Sequence, residues 1–232
     1  MEKYIALVTG GNRGIGYAIC KELARVGCRV ILTSRNELDG QNAIAKLDAR
    51  DKIVYHKLNV TDTVEIEELH DWIVSIYGRL DILINNAGVF LDEGVSVFDV
   101  EEKTLRDTLE TNFYGPFHLC RVFVPLMRKN GFGRIVNVSS GYGAMNEMAG
   151  NVAAYRISKA TLNVLTLIMA DDLKDSNIKV NAVCPSWVST RMGGSMAPIT
   201  PEAAAKDIVH FAIIDKTGPT GGFFRYKKPI PW

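Results

Sequence analysis

The chain carries almost no net charge, because its 27 lysines and arginines nearly balance its 26 aspartates and glutamates. It therefore lacks the basic excess with which nucleic-acid-binding and membrane-surface proteins attract polyanions. No apolar run reaches the roughly 20 residues that a bilayer-spanning helix needs, and the N-terminus shows no signal-peptide pattern. We therefore expect no nucleic acid and no membrane among its partners.

Cysteine and histidine are scarce, with four residues of each type. Cys20, Cys28, Cys120 and Cys184 are scattered through predicted core elements without C-x-x-C spacing, which is typical of reduced, buried thiols. This cysteine usage predicts a cytoplasmic protein. The histidines share no metal-ligand spacing, so no metal site is expected.

Linkers, repeats and low-complexity segments are also missing, and strand-like and helix-like segments alternate along the chain. Such alternation predicts an α/β fold in which helices cover both faces of a parallel sheet. The predicted strands cover residues 4–9, 29–34, 53–58, 81–85, 133–139, 178–184 and 222–226. The predicted helices cover residues 14–26, 38–48, 63–77, 102–129, 154–173 and 201–214.

The connections between these segments determine the order of the strands. Right-handed crossovers and a chain reversal after the third strand predict a doubly wound, Rossmann-type, seven-stranded parallel sheet of order 3-2-1-4-5-6-7. Ligands of such folds bind at the carboxyl ends of the strands. The residues expected at those ends are Gly10, Ser34, Asn59, Asn86, Ser140 and Pro185.

A glycine-rich turn at residues 9–16, TGGNRGIG, joins the first predicted strand to the first predicted helix. Glycines let the backbone approach a ligand, and a helix N-terminus offers free N–H groups and the positive end of its dipole. The spacing G-x-x-x-G-x-G differs from the commoner G-x-G-x-x-G. In its strand–turn–helix context, this turn predicts a pyrophosphate site.

Tyr155 and Lys159 stand four positions apart in a predicted helix, so their side chains lie on one helix face. A free tyrosine has a pKa of about 10, which is too high for efficient proton transfer at neutral pH. A neighbouring cation favours the phenolate and lowers this pKa. The pair is therefore a candidate general acid/base.

Five motifs in order resemble the short-chain dehydrogenase/reductase family, and the resemblance runs from Lys3 to the C-terminus. The motifs are Thr9-Gly10-x-x-x-Gly14-x-Gly16, Asn85-Asn86-Ala87-Gly88, Asn112, Ser140 and Tyr155-x-x-x-Lys159. The segments TGGNRGIG, GRIVNVSS and FFRYKKPIPW resemble the carbonyl-reductase-like subgroup. The resemblance implies a single NAD(P)-binding Rossmann domain over residues 1–232 that also contains the catalytic site.

By this resemblance, the catalytic group consists of Asn112, Ser140, Tyr155 and Lys159. Ser140 would hold the substrate carbonyl, and Tyr155 would donate its proton to the carbonyl oxygen as hydride arrives from nicotinamide. Lys159 would lower the pKa of Tyr155 and bind the nicotinamide ribose, whereas Asn112 would bend its helix and hold a water of the proton relay. Ser140 rather than Ser139 matches the family position, and strand alternation points only one of the two at the ligand.

NADP(H) is the expected cofactor. The second predicted strand ends at Ser34, where NAD-preferring folds carry an acidic residue that binds the adenosine ribose, and Arg35 follows it. Ser34 does not repel a 2′-phosphate, and Arg35 together with Arg13 can bind one. With the residues implied by the resemblance, the expected cofactor contacts are Gly10, Asn12, Arg13, Gly14, Ile15, Gly16, Ser34, Arg35, Asn59, Val60, Asn86, Ala87, Gly88, Tyr155, Lys159, Pro185, Val188 and Thr190.

Residues 186–200 are rich in glycine and methionine, which predicts a mobile loop over an apolar substrate. The resemblance implies that Val188 and Thr190 bind the carboxamide of nicotinamide, while Ser186 replaces the glycine usual after Pro185. The candidate substrate-pocket residues are Tyr142, Met145, Trp187 and Met192.

The sequence thus predicts an NADPH-dependent oxidoreductase that reduces the carbonyl group of ketones or aldehydes to alcohols. A 3-oxoacyl-carrier-protein reductase shares the fold and the catalytic group and is an alternative. It needs a basic docking patch, for which Arg128 and Lys129 are present, but Asp175 and Ser176 supply no further cation after the catalytic helix. A non-catalytic NADPH-binding regulator is a second alternative, against which the intact catalytic group argues.

The helix after Tyr155 has more apolar positions than one sheet-facing stripe uses. These positions are Leu162, Val164, Leu165, Leu167, Ile168 and Met169. A second apolar stripe on a surface helix is typical of an interface. We therefore expect a homodimer or a homotetramer.

Overall fold

A computed structural model describes residues 4–47 and 51–232, and within those residues eight strands form one sheet. The strands are β1 (Ile5–Val8), β2 (Arg29–Ser34), β3 (Ile53–Lys57), β4 (Ile82–Asn85), β5 (Gly133–Val138), β6 (Ile178–Val183), β7 (Phe223–Arg225) and β8 (Lys228–Pro229). Their order is β3-β2-β1-β4-β5-β6-β7-β8. Strands β1 to β7 are parallel, which confirms the predicted order, and β8 pairs antiparallel with β7.

The eighth strand is the part of the sheet that the sequence does not predict. It has two residues, of which Pro229 lacks an N–H group and is tolerated only because β8 forms the sheet edge. A two-residue hairpin turn, Tyr226 and Lys227, connects it to β7.

Seven α-helices connect the strands within the described residues. They are α1 (Gly14–Arg25), α2 (Glu37–Ala45), α3 (Thr63–Tyr77), α4 (Glu102–Leu109), α5 (Gly115–Asn130), α6 (Ala153–Asp172) and α7 (Pro201–Ala212). The helix predicted at 102–129 is divided by a wider π-helical turn at Glu110–Tyr114, which contains Asn112. Residue 48, at which the helix predicted at 38–48 ends, lies outside the described residues. Residues 1–3 of the predicted domain also lie outside them.

Alternate residues of the strands pack into two hydrophobic cores, one on each face of the sheet, because successive side chains of a strand point to opposite faces. Val8 and Leu32 belong to the core under α1 and α7. Leu7 and Ile31 belong to the opposite core, where residues of α3, α5 and α6 pack against them. Helices therefore cover both faces of the sheet, as the sequence predicts.

The carboxyl ends of β1 and β4 are joined by the buried hydroxyl of Thr9. Its Oγ1 accepts hydrogen bonds from the N–H groups of Asn86 and Ala87 at 3.0 and 2.9 Å and donates to the Ile84 carbonyl at 3.3 Å. This hydroxyl fixes the glycine turn after β1 against the segment that follows β4. Across the described ranges, no helix is long and apolar enough to span a membrane.

Candidate active site

The glycine turn after β1 folds so closely that side chains would not fit. Gly10 and Gly14 have φ angles of 63° and 52°, in the left-handed region that favours glycine. A Cβ atom on Gly16 would lie 2.2 Å from the Gly10 carbonyl oxygen and 2.5 Å from Asn86 Nδ2. Only glycine therefore fits these positions of the tight turn, as a turn that binds a pyrophosphate group requires.

Helix α1 begins at this turn and supplies the donors that an anion needs. Its N-cap is Arg13, in extended backbone, and an arginine side chain has no acceptor for the N–H groups of the first turn. The Nδ2 group of Asn86 donates to the carbonyl oxygens of Thr9 and Gly10 at 2.8 and 3.2 Å. The turn is thus held in place while the helix N-terminus stays available for a phosphate.

Arg13 also lines a cavity of about 380 Å³ between α1 and α2. Burial, followed by the positive charge of Arg191, lowers the pKa of Arg13, and Arg35 acts in the same direction. Three guanidinium groups therefore lie near one another beside the glycine turn. Ser34 is buried at the end of β2, and its hydroxyl donates to the Asn36 carbonyl at 2.7 Å.

Two charged residues of this region are not predicted from the sequence. Asp39 lines the same cavity as Arg13 and raises the pKa of Arg13. It escapes prediction because the acidic residue of NAD-binding folds is sought at the end of β2, whereas Asp39 lies on α2. Arg191 comes from the loop after β6, where Thr190 Cγ2 would lie 3.3 Å from a Cβ atom on Gly14.

The predicted adenine contacts are arranged differently. The side-chain oxygen of Asn59 accepts hydrogen bonds from the N–H and the hydroxyl of Thr61 at 3.3 and 3.1 Å, and the Asn59 backbone N–H donates to Glu65 at 2.6 Å. Val60 is buried against Gly115. Asn59 therefore shapes a turn at the strand end, and its contact with adenine remains a prediction.

Tyr155 and Lys159 lie on α6, whereas Ser140 follows the end of β5. Lys159 is buried, and its Nζ donates to the Val138 carbonyl at 2.9 Å and lies 5.7 Å from the centre of the Tyr155 ring. The neighbouring Ser139 hydroxyl is turned away and donates to Asn163 Oδ1 at 2.6 Å. This geometry supports Ser140 as the serine that faces Tyr155.

Burial controls the charges of this pair. It raises the pKa of Tyr155 to about 12, and a hydrogen bond with the Ser140 side chain partly opposes this rise. It also lowers the pKa of Lys159 to about 8. The expected lowering of the Tyr155 pKa by Lys159 is not found in this structure, because burial dominates and Nζ donates to Val138.

Asn112 lies at the centre of the π-helical turn, in agreement with the predicted local bend, and is fully buried. Its Oδ1 accepts from the Val89 N–H at 2.8 Å, and its Nδ2 donates to the Val89 carbonyl at 2.9 Å and to Ser158 Oγ at 3.0 Å. The Ser158 hydroxyl donates to the Tyr155 carbonyl at 2.8 Å. Asn112 therefore connects the segment after β4 to the helix of Tyr155, and its contact with a water remains a prediction.

Asp92 is a fully buried residue of the site that is not predicted from the sequence. Its carboxylate accepts from the N–H groups of Ala154 and Tyr155 at 2.6 and 3.3 Å and so caps α6. The sequence indicates the need for such a residue only indirectly. Val152 stands at the N-cap of α6 with a φ of 47°, and its side chain has no hydrogen-bond acceptor. The first turn of α6 therefore needs an acceptor from elsewhere in the chain.

The predicted substrate-pocket residues do not all lie together. The ring of Tyr142 lies 6.1 Å from that of Tyr155, and Phe90, which the sequence does not predict, lies 4.8 Å from it on centroid distances. Trp187 and Met192 are exposed on the loop after β6. Met145 instead lines a groove with Trp232, Val164 and other residues of α6. Tyr155 does not line that groove. The structure therefore does not support Met145 as a substrate-pocket residue.

The loop after β6 carries the remaining predicted cofactor contacts. Pro185 begins the loop, and Ser186 adopts a φ of 65°, a conformation that suits the glycine usual at this position in the family. Val188 is buried and forms an isolated bridge with Ile199. The Thr190 hydroxyl accepts from the Gly193 N–H at 3.1 Å.

Comparison with known proteins finds relatives that match almost the whole chain. A family model described as short chain dehydrogenase matches residues 4–198. The (-)-isopiperitenone reductase of Mentha piperita is 33% identical, with 97% of each chain covered. The NADPH carbonyl reductase 1 of Mus musculus is 33% identical, with 98% of each covered. The crystal structure of NADPH-bound carbonyl reductase from chicken fatty liver has a TM-score of 0.90 and 25% identity, with 100% of both chains covered.

Proposed function

This chain belongs to the short-chain dehydrogenase/reductase family, and we propose that it reduces the carbonyl group of ketones or aldehydes to alcohols. It is an NADP-dependent oxidoreductase that resembles carbonyl reductases. The observation that carries the proposal is the placement of Ser140 and Tyr155 beside each other, with the buried Lys159 one helical turn further along α6.

NADP(H) is the cofactor, in agreement with the NADPH carbonyl reductase relatives. The residues of this chain fit it: the glycine turn and the start of α1 would hold the pyrophosphate, and Arg13 and Arg35 would bind the 2′-phosphate. Asp39 is the one carboxylate that lines the same cavity within the described residues, so the local charge still favours an added phosphate. When bound, the cofactor supplies hydride.

The protein residues handle the oxygen and the proton. The Ser140 hydroxyl would donate a hydrogen bond to the substrate carbonyl oxygen and orient it toward Tyr155. The Tyr155 hydroxyl, neutral at physiological pH because its pKa is raised to about 12, would donate its proton to that oxygen. The ammonium of Lys159 would stabilise the phenolate that forms.

This mechanism predicts a pH dependence set by Lys159. Its pKa is lowered to about 8, so the ammonium charge is present below that pH and is lost as pH rises through it. We expect kcat/KM for carbonyl reduction to be level below this value and to fall above it, while Tyr155 stays protonated. A profile measured with a non-titrating ketone tests this, and Lys159→Met should abolish the inflection together with most activity. A profile that stays level well above this pKa would contradict the assignment.

The rim of the site favours apolar substrates. Phe90 and Tyr142 flank Tyr155, and Trp187 and Met192 are exposed on the loop that would cover the substrate. Substrates with aromatic or aliphatic groups beside the carbonyl would bury these surfaces. This composition does not suit the acidic carrier protein of a 3-oxoacyl-carrier-protein reductase, which needs a basic docking patch. The paired Tyr155 and Lys159 likewise disfavour a non-catalytic regulator.

A substrate screen tests the proposed activity. Purified protein with NADPH is offered apolar aldehydes, ketones, diketones and 3-oxoacyl thioesters, and NADPH consumption is followed by absorbance. We expect turnover with apolar aldehydes or ketones. Preference for 3-oxoacyl thioesters would favour the carrier-protein alternative, and NADPH binding without any turnover would favour the regulator.

The outer face of α6 supports assembly into a homodimer or homotetramer. Ile157, Val164 and Ile168 are 40%, 53% and 54% exposed, and their spacing of seven and four residues places them on one stripe. We expect light scattering at micromolar concentration to report at least twice the 25.6 kDa chain mass. Val164→Arg should lower that mass, and a parent protein that scatters as a single chain would reject the assembly.

The four cysteines support a reducing, cytoplasmic environment. All four are free and buried in the structure. Intracellular proteins typically keep their thiols in this state.

A further inference from the structure

The hairpin turn between β7 and β8 has an unusual composition. Arg225 pairs with Lys228, so Tyr226 and Lys227 form a two-residue turn, and their φ angles are 53° and 60°. Two-residue turns with positive φ at both positions favour Asn-Gly or Asp-Gly. Neither residue of this turn is glycine, asparagine or aspartate, and such strained positions are concentrated where the structure serves function.

Tyr226 reaches from this turn to the loop after β6. Its hydroxyl donates to Ser186 Oγ at 2.8 Å. Ser186 has itself a left-handed backbone, with a φ of 65°. The hydrogen bond therefore holds a strained residue that directly precedes the segment from Trp187 to Thr190.

Arg225 reaches in the other direction, to the loop that follows Ser140. Its Nη2 donates to Oε1 and Oε2 of Glu147 at 2.9 Å each. A Cβ atom on Gly141 would lie 2.3 Å from Arg225 Nη2 and 2.4 Å from Glu147 Oε2. The ion pair is thus packed directly on the residue after Ser140.

Cys184 lies between the two loops. Its Sγ accepts from the N–H groups of Gly141 and Ser186 at 3.1 and 3.4 Å. Glu147, and after it Cys184, raise the pKa of Arg225. The thiol is also close enough to affect the pKa of both Tyr155 and Lys159. The two anchored loops therefore meet at Cys184.

We propose that the β7–β8 hairpin is a positioning element of the active site. Arg225 fixes the Ser140 loop through Glu147, and Tyr226 fixes the loop of Val188 and Thr190 through Ser186. The proposal rests on the proposed function, because it assigns to Ser140 and to the Val188–Thr190 loop their roles in catalysis and in cofactor binding.

The two anchors predict different kinetic defects. Arg225→Met should lower kcat by about 10- to 100-fold, because small displacements of a catalytic group are costly, and should leave the Kd for NADPH unchanged. Tyr226→Phe removes one hydroxyl and should weaken NADPH binding by about 3- to 10-fold. The Kd is measured by fluorescence titration without substrate. If both variants match the parent in kcat and Kd, the proposal is overturned.

A double-mutant cycle tests whether Arg225 acts through Glu147. Glu147→Gln and Arg225→Met should each lower kcat, and the double variant should be no slower than the slower single variant. Losses that multiply in the double variant would show independent roles and would overturn this half of the proposal.

A turn replacement separates positioning from stability. Tyr226→Asn with Lys227→Gly installs the favoured turn and should maintain or raise Tm, yet it removes the Ser186 contact and should weaken NADPH binding as Tyr226→Phe does. Lys227→Gly alone is the matched control and should keep the parent Kd. If the double replacement binds NADPH as the parent does, the hairpin has only a structural role.

The Tyr155→Phe variant, together with the parent protein, distinguishes a failure of the positioning proposal from a failure of the proposed function. An inactive Tyr155→Phe together with fully active hairpin variants would overturn the positioning proposal alone. NADPH binding by the parent protein without turnover of any carbonyl substrate would overturn the proposed function, whereas an unchanged Kd for NADPH in Tyr226→Phe would still overturn the role of Tyr226 in positioning the loop of Ser186.

Discussion

Replacing Tyr155 with phenylalanine is expected to lower kcat by about 10²- to 10⁴-fold, the usual contribution of a positioned general acid. The ring and its packing against Phe90 would be retained, so the Kd for NADPH should stay close to that of the parent. Single-turnover and steady-state reduction rates, with the Kd from fluorescence titration, check this expectation.

Tyr142→Phe is the matched control for this variant. Tyr142 has the same hydroxyl, and its ring lies 6.1 Å from that of Tyr155, but the mechanism gives its hydroxyl no proton to transfer. We expect Tyr142→Phe to keep kcat within a few-fold of the parent. A Tyr155→Phe enzyme as fast as the parent would disprove the proton-donor role.

Reversing the charge of Arg35 is expected to reverse much of the cofactor preference. Hydrogen bonds to charged groups contribute about 1.5–3 kcal/mol, so Arg35→Asp should lower the NADPH/NADH ratio of kcat/KM by about 10- to 100-fold or more. Repulsion between the new carboxylate and a 2′-phosphate adds to this loss, whereas binding of NADH should change little. Parallel kinetics with both cofactors give the ratio.

Arg25→Asp provides the matched charge reversal. Arg25 is exposed in the last turn of α1, at the opposite end of the helix from the glycine turn, and pairs with Glu22. Its reversal changes the net charge equally but should leave the cofactor ratio as in the parent. An unchanged ratio in Arg35→Asp would remove Arg35 from the 2′-phosphate site.

The parts of the site that are predictable from the sequence depend on short-range spacing. The glycine turn and the Tyr155–Lys159 pair are each encoded within a few residues, and the apolar strand before the turn is fully buried. Period-two alternation also separates Ser139, which bonds Asn163, from Ser140. Local pattern is sufficient here because backbone geometry alone fixes which residues share a face.

The parts that are not predictable depend on contacts between distant segments. Asp92 caps α6 from 62 residues away, and Arg225 binds Glu147 across 78 residues. No repeating sequence pattern identifies Asp92 or Arg225 in advance. A helix cap or an ion pair requires only a single side chain from another element of the fold. The pKa of Tyr155 is a similar case, because burial, which sequence spacing does not report, outweighs the neighbouring cation.

Met145 illustrates a different limit. Its position five residues after Ser140 places it near the site along the chain, but two short helical turns at Gly141–Gly143 and Met145–Glu147 redirect the backbone. The side chain therefore reaches the groove beside Trp232. Nearness in sequence does not determine on which side of a loop a residue lies.

The burial of Lys159 has a consequence for the free energy of unfolding. Its pKa falls from the ordinary lysine value of 10.5 to about 8 in the folded chain, so between these values the unfolded chain binds more protons and stability rises with pH. Below about pH 8 the fold carries the full cost of a buried ammonium, about 3 kcal/mol for this shift. Lys159 is thus charged, as the mechanism requires, in the same pH range in which it destabilises the fold most. The catalytic residue itself therefore sets a trade-off between activity and stability.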